Sequence, residues 1–258
     1  MKTTISNDVL SAAVAAVRSQ RPLVHNITNY VVMNNSANAL LAIGASPVMA
    51  HWPREVEEMT SIAGALVLNI GTLDDAWLEG MRIAGAAASR RGIPIVLDPV
   101  GAGATKARTE ACLELIRACH PTIIRGNASE IMALVDAGVK SKGVDSSAQS
   151  SDAVEAARKL AEETGAVVVI SGATDYITDG SVVHTVEGGD EIMTAVTGMG
   201  CTSTALVGAF AAVVKEPLVA ATAAMAVMSL AGERAAALSR GNGSMQVNFL
   251  DELYRLSL

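Results

Sequence analysis

One unit recurs along this chain: a short apolar strand, polar or glycine residues at its carboxyl end, then a stretch of helical periodicity. Ala65–Ile70 runs into Gly71-Thr72 and a helix from Leu78 to Arg90. Ile93–Leu97 runs into Asp98-Pro99-Val100-Gly101 and a helix from Lys106 to Ala118. Thr122–Arg125 leads to Gly126-Asn127-Ala128-Ser129-Glu130 and a helix from Ile131, and Ala166–Ile170 ends in Ser171-Gly172. Continuous apolar strands alternating with helices predict a largely parallel sheet covered on both faces. Ligands of such a sheet gather outside the carboxyl ends of the strands. No internal repeat and no shift in composition divides the chain, so residues 1–258 read as one α/β domain.

The flanking segments fit the same scheme. Helices are expected over Asn7–Ser19, Tyr30–Ile43, Pro53–Ala63 and Ala153–Thr164, with short strands before Asn26 and over Ala45–Ala50. Asp179-Gly180 sits centrally in the alternating stretch Tyr176–Thr185 and predicts a hairpin. Ser141–Ser151, rich in serine, reads as a surface loop. Two Ala-rich helices joined near Lys215-Glu216-Pro217 close the chain, followed by a shorter one after Asn248.

Composition narrows the class. Half of the residues are apolar and only 3% are aromatic, so small aliphatic side chains must fill the core. The net charge is −7 and basic blocks are absent, which argues against nucleic acid as a partner. A small anionic ligand stays open, because a local site can oppose the net charge. Cys112, Cys119 and Cys201 have no metal-ligand spacing. An odd count without an apolar leader over Met1–Leu10 points to reduced thiols in the cytoplasm. The Ala-rich run Leu218–Ala231 reads as a buried helix, with no membrane partner expected.

The chemistry concentrates at the predicted strand ends. Asp98 ends one strand, Arg125 ends the next with Asn127 and Glu130 close behind, and Ser171 ends a third. Two carboxylates on one edge suit Mg²⁺, held directly or through water. A guanidinium suits a phosphate. Thr197-Gly198-Met199-Gly200-Cys201-Thr202-Ser203-Thr204 then opens an apolar helix, and free backbone N–H groups with the helix dipole make an anion site there. Cys201 stands on that turn, where a helix N-terminus lowers a thiol pKa. Each piece also has a structural reading. Asp98-Pro99 makes a turn, Asn127 and Glu130 make a capping box, and His25, Asn26, Thr28 and Asn29 cap the next segment. Together they suit phosphoryl transfer. Neither a P-loop nor a Gly-x-Ser-x-Gly elbow is present.

Several of these stretches resemble the hydroxyethylthiazole kinase family. They are Arg21-Pro-Leu-Val-His-Asn-Ile-Thr-Asn29, Leu41-Ala-Ile-Gly-Ala-Ser-Pro-Val-Met49, Leu97-Asp-Pro-Val100, Ile124-Arg-Gly-Asn-Ala-Ser-Glu-Ile131 and Gly198-x-Gly-Cys201, in the family's order. The resemblance implies a ribokinase-like fold. It also implies transfer of phosphate from ATP, with Mg²⁺, to the hydroxyl of 4-methyl-5-(2-hydroxyethyl)thiazole in thiamine biosynthesis or salvage. By motif position, Met49 and Gly198 bind the thiazole, with Asn29 and His25 as polar lining. Arg125 and Ser171 bind ATP, with Asn127 and Gly200 beside them. Asp98 and Glu130 organise the magnesium, and Cys201 stands where most ribokinase-like enzymes carry the aspartate base. A homotrimer with sites between subunits is also implied. Met199 departs from the threonine usual in the family's corner. The alternatives are another small-alcohol kinase, such as one for hydroxymethylpyrimidine, a hydrolase using Cys201 as nucleophile, and a non-catalytic relative.

Overall fold

The computed structural model describes residues 1–138 and 150–258. The serine-rich loop expected over Ser141–Ser151 therefore lies outside the described residues, save for its last two positions.

Along the chain run β1 (Lys2–Thr3), α1 (Asn7–Gln20), β2 (Leu23–Ile27), α2 (Met33–Ile43), β3 (Ser46–Val48), α3 (Val56–Ile62), β4 (Ala65–Asn69) and α4 (Asp75–Arg91). Then come β5 (Ile95–Asp98), α5 (Lys106–Cys119), β6 (Ile123–Asn127), α6 (Ala128–Gly138), α7 (Ser150–Thr164) and β7 (Val167–Ser171). The hairpin β8 (Thr174–Thr178) and β9 (Val183–Glu187) follows, then a 3₁₀ turn (Glu191–Ala195), α8 (Met199–Ala211), α9 (Pro217–Leu238) and α10 (Asn242–Tyr254).

The strands form one sheet in the order β1-β9-β8-β7-β6-β5-β4-β2-β3. The run from β7 to β3 is parallel, while β8, β9 and β1 are antiparallel. The chain passes from β2 outward to β3, then returns to place β4 on the other side of β2. Such a reversal opens a crevice between the carboxyl ends of β2 and β4, where doubly wound sheets bind ligands.

Strand periodicity assigns the two faces. Val24, Val67, Val96, Ile123, Val167 and Val169 join the core made with α1, α2, α8, α9 and α10. Ile27, Leu66, Leu68, Leu97, Ile124, Val168 and Ile170 join the core made with α3 to α7. Because both faces are covered, the strands read as unbroken apolar runs. Helix α9 is long and apolar enough to cross a membrane by length and composition, yet 72% of its most apolar window is buried within the protein.

Several boundaries differ from expectation for a common reason. Helix α2 begins at Met33, not Tyr30, because the segment before it is held in turns: Val32 N reaches back only to Asn29 O (3.3 Å), and the first full helical bond runs from Ser36 N to Val32 O (2.8 Å). Tyr30 N donates to Thr72 Oγ1 (3.1 Å) and Val31 N to Asn29 Oδ1 (3.1 Å). Helix α10 begins at Asn242, well before Asn248, because Ser244 Oγ accepts from Gly241 N (3.2 Å) and closes an N-terminal turn there. The short β1 carries no sequence signal; its two residues are ordered by pairing with β9.

Candidate active site

The carboxyl edge of the sheet gathers the chemistry. Asp98, the last residue of β5, is buried. Its Oδ2 accepts from Asn69 Nδ2 (2.8 Å) and from Thr204 Oγ1 (2.7 Å). Burial pushes its carboxyl up to about 6, Arg125 and the hydrogen bond from Thr204 pull it down, and Glu130 adds a further upward push. Asp98 and Glu130 thus face a common region and repel.

Glu130, in the first turn of α6, is anchored through both oxygens. Oε1 accepts from Gly101 N (2.8 Å) and Oε2 from Asn127 N (2.8 Å). Asn127 Oδ1 in turn accepts from Glu130 N (2.9 Å) and Ser129 Oγ (2.7 Å). Asn127 and Glu130 therefore form the capping box that their spacing allowed. This ties the loop after β5 to the start of α6.

Arg125 is the most informative residue. It is only 8% exposed, its Nη2 donates to Ser171 Oγ (2.5 Å), and its Nε is buried without a partner. A Cβ added at Gly200 would lie 2.9 Å from Nη1, so the guanidinium rests directly on the first turn of α8. A cation held against the positive end of a helix, with one donor unsatisfied, is a site prepared for an anion. Arg125, Ser171, Gly198 and Gly200 line a cavity of about 850 Å³, together with Met193, Met225 and Met228.

Gly198 is the N-cap of α8, with φ +82°. A Cβ there would stand 2.5 Å from Val32 Cγ1 and would also require the left-handed region. The corner of α8 thereby packs on the segment that follows β2. Met49 lies one residue beyond β3, half-buried, and does not line the cavity.

Cys201 is half-buried in the first turn of α8, where its Sγ accepts from Asn29 Nδ2 (3.4 Å). Burial and the Asp98 carboxylate push its thiol up to about 11. This corrects the expectation that the helix N-terminus lowers it: desolvation and a neighbouring negative charge outweigh the dipole. Cys201 is a thiol at neutral pH. Among the described residues no histidine touches it, so a nucleophilic cysteine would have no base.

His25 is corrected too. It is fully buried, with Nδ1 2.9 Å from Thr60 Oγ1 and Nε2 2.8 Å from the Ala50 carbonyl. Both ring nitrogens are used, and burial holds its pKa down. His25 ties β2 to α3 and to the chain leaving β3, and leaves no ring nitrogen for a ligand. Asn29 is buried as well and reaches the site through Cys201 and Asn69.

Asn69, Gly71 and Asp175 carry no site signal in the sequence, and Thr204 is legible only as part of the glycine corner. Asn69 was visible only as a polar break in an apolar strand. Asp175, on the cavity wall, has a carboxyl raised by burial to about 6. Nothing in its local sequence separates it from an ordinary hairpin residue.

Among the described residues no group of three or more His, Cys, Asp or Glu side chains converges. Two repelling carboxylates beside an anion site still fit Mg²⁺, which takes few protein ligands and keeps several waters.

A mostly parallel sheet with helices on both faces, its carboxyl edge bringing the buried Arg125 of β6 against the N-terminus of α8, is the ribokinase-like fold. A ribokinase-like superfamily protein from Enterococcus faecalis V583 superposes with a TM-score of 0.67 at 13% identity, covering 97% of this chain and 93% of that one, a likeness of fold alone. The family model for the hydroxyethylthiazole kinase family matches residues 14–258, and the chain belongs to that family. A hydroxyethylthiazole kinase of Oleidesulfovibrio alaskensis is 57% identical over 242 residues, 94% of this chain and 91% of that protein. The structure of a hydroxyethylthiazole kinase protein from Pyrococcus horikoshii OT3 superposes with a TM-score of 0.90 at 45% identity, covering 97% and 94% of the two chains.

Proposed function

We propose that residues 1–258 form one catalytic unit that transfers the γ-phosphoryl group of ATP to the primary hydroxyl of 4-methyl-5-(2-hydroxyethyl)thiazole. The observation that carries this reading is the buried Arg125, its Nε unpartnered, resting on the amino end of α8 at the wall of a nucleotide-sized cavity.

In this reading the polyphosphate lies along Arg125, Ser171 and the Gly198–Gly200 turn, with Asn127 near its edge. Guanidinium, hydroxyl and backbone N–H groups stand ready before the reaction, so charge developing on the transferred group meets fixed donors. The thiazole alcohol enters from the side of Met49 and Gly198. Asp98 and Glu130 would hold Mg²⁺ largely through water; the ion, when bound, neutralises phosphate charge and relieves the repulsion between the two carboxylates.

Cys201 positions the acceptor hydroxyl. In a loose phosphoryl-transfer transition state the attacking alcohol keeps its proton until late, so a neutral thiol meets the need. Cys201→Ala is expected to leave measurable activity, down by about tenfold to a hundredfold, the loss usual for one positioning contact. Complete loss with folding and substrate binding intact would give the thiol an essential role.

A homotrimer with shared sites fits the exposed apolar side chains of Tyr30, Val31, Leu41, Trp52 and Ile62, all borne by segments around β2 and β3, the Met49 side of the sheet. Reduced thiols suit the cytoplasm. The direct test is ADP release with and without the thiazole alcohol, with hydroxymethylpyrimidine as the competing acceptor. Thiazole-dependent turnover is expected; turnover only with the pyrimidine would replace this reading.

A further inference from the structure

Cys201 and Asp98 stand on opposite sides of the proposed reaction, one with the acceptor and one with the metal. A single hydrogen-bonded chain of fixed polarity joins them. Asn29 Oδ1 accepts from Val31 N (3.1 Å), which turns the amide nitrogen the other way, toward Asn69 Oδ1 (2.8 Å) and Cys201 Sγ (3.4 Å). Asn69 Oδ1 also accepts from Gly71 N (3.0 Å), so Asn69 Nδ2 faces Asp98 Oδ2 (2.8 Å). Thr204 Oγ1 donates to that same oxygen (2.7 Å). Thr204 is one helical turn from Cys201, so the chain closes on itself through α8.

The ring lies at the switch point of the sheet and is packed tightly. A Cβ at Gly71 would stand 2.5 Å from Asn29 Nδ2, so the backbone after β4 presses directly on the amide. Asn29 and Asn69 are both buried, and apolar residues of the same size would fill the space without fixing any direction. Satisfied buried polar networks specify one arrangement because each broken bond leaves an orphan group.

We propose that Asn69 is a positioning residue for phosphoryl transfer, setting the Cys201 thiol and the Asp98 carboxylate in one register through the Cys201–Asn29–Asn69–Asp98–Thr204 ring. This rests on the kinase reading above. Asn69 touches no reacting atom; it orients the two groups that flank them.

The test is Asn69→Leu, similar in size but without hydrogen bonds. The expected result is a fall in kcat of about tenfold to a hundredfold, as for a small misplacement of reacting groups. KM for ATP and for the thiazole alcohol should stay within about threefold, since binding contacts are untouched. In a Cys201→Ala background the same substitution should cost less than in wild type, because the thiol it orients is gone and only its hold on Asp98 remains. A second readout needs neither nucleotide nor magnesium. The infrared S–H band of Cys201, isolated by subtracting the Cys201→Ala spectrum, should shift in Asn69→Leu. An unmoved band, or losses that multiply independently of Cys201, would overturn the proposal. If Asn69→Leu does not fold, Gly71→Ala keeps both asparagines and displaces Asn29; the same split and the same shift are expected. Wild-type protein without thiazole-dependent ADP release would sink the kinase reading while leaving the thiol band to judge the ring.

Discussion

At the scale of single residues, the site holds its groups at a cost to the resting protein. Asp98 is the clearest case, a buried carboxylate raised from its ordinary 3.8 to about 6. Its folded-state pKa lies above its unfolded value. The folded chain therefore holds the proton longer, and stability falls as pH rises from about 4 to about 6, staying lower above that window. The displacement corresponds to about 3 kcal/mol against the ionised form. Asp98→Asn, whose amide oxygen still accepts from Asn69 and Thr204, should melt higher than wild type at pH 8 and lose that advantage near pH 4. Thermal unfolding without ligands at the two pH values checks this, and the variant should be nearly inactive. Equal melting at pH 8 would mean that Arg125 fully offsets the buried charge.

At the scale of elements, α8 carries the anion corner and must sit close to the sheet. Gly208 makes that possible. A Cβ there would lie 2.6 Å from Val67 Cγ2 and 3.2 Å from Val24 Cγ1, on the strands that bracket the switch point. Gly208→Ala gains helix propensity of up to about 1 kcal/mol, but overpacking costs about 1–3 kcal/mol and lifts the helix. The expected outcome is a net loss of stability in urea unfolding, with a fall in kcat, because Cys201 and Thr204 move with the helix. A more stable and fully active variant would show that the interface yields without moving the corner. The same elements show what sequence could and could not reveal. The β-α rhythm was legible because parallel strands covered on both faces need uninterrupted apolar runs. The true start of α2 was not, because it depends on turns held by Asn29 and by Thr72, which lies far along the chain.

At the scale of the whole molecule, Tyr30, Leu41 and Ile62 are exposed at 61%, 56% and 66%, on segments that flank the edge strands β2 and β3 from both faces of the sheet. Large exposed apolar side chains at that edge fit the proposed subunit contact. Light scattering should report three chains. Leu41→Asp with Ile62→Asp should give smaller species and reduced turnover. A fully active monomer would show that the site is complete within one chain.

The sequence by itself determined the α/β class, the strand ends that carry Asp98, Arg125 and Ser171, and the glycine corner before α8. These are signals of period, turn chemistry and local spacing. Only the tertiary structure decided the surroundings of His25 and Cys201. Burial gave both nitrogens of His25 structural partners. It also raised the Cys201 thiol where the helix terminus alone would have lowered it. Asn69 gained its place in the same way, since a lone polar residue in an apolar strand takes its meaning from the neighbours that the strand order brings beside it. Desolvation and charge act through space, and a sequence read along the chain does not contain those distances.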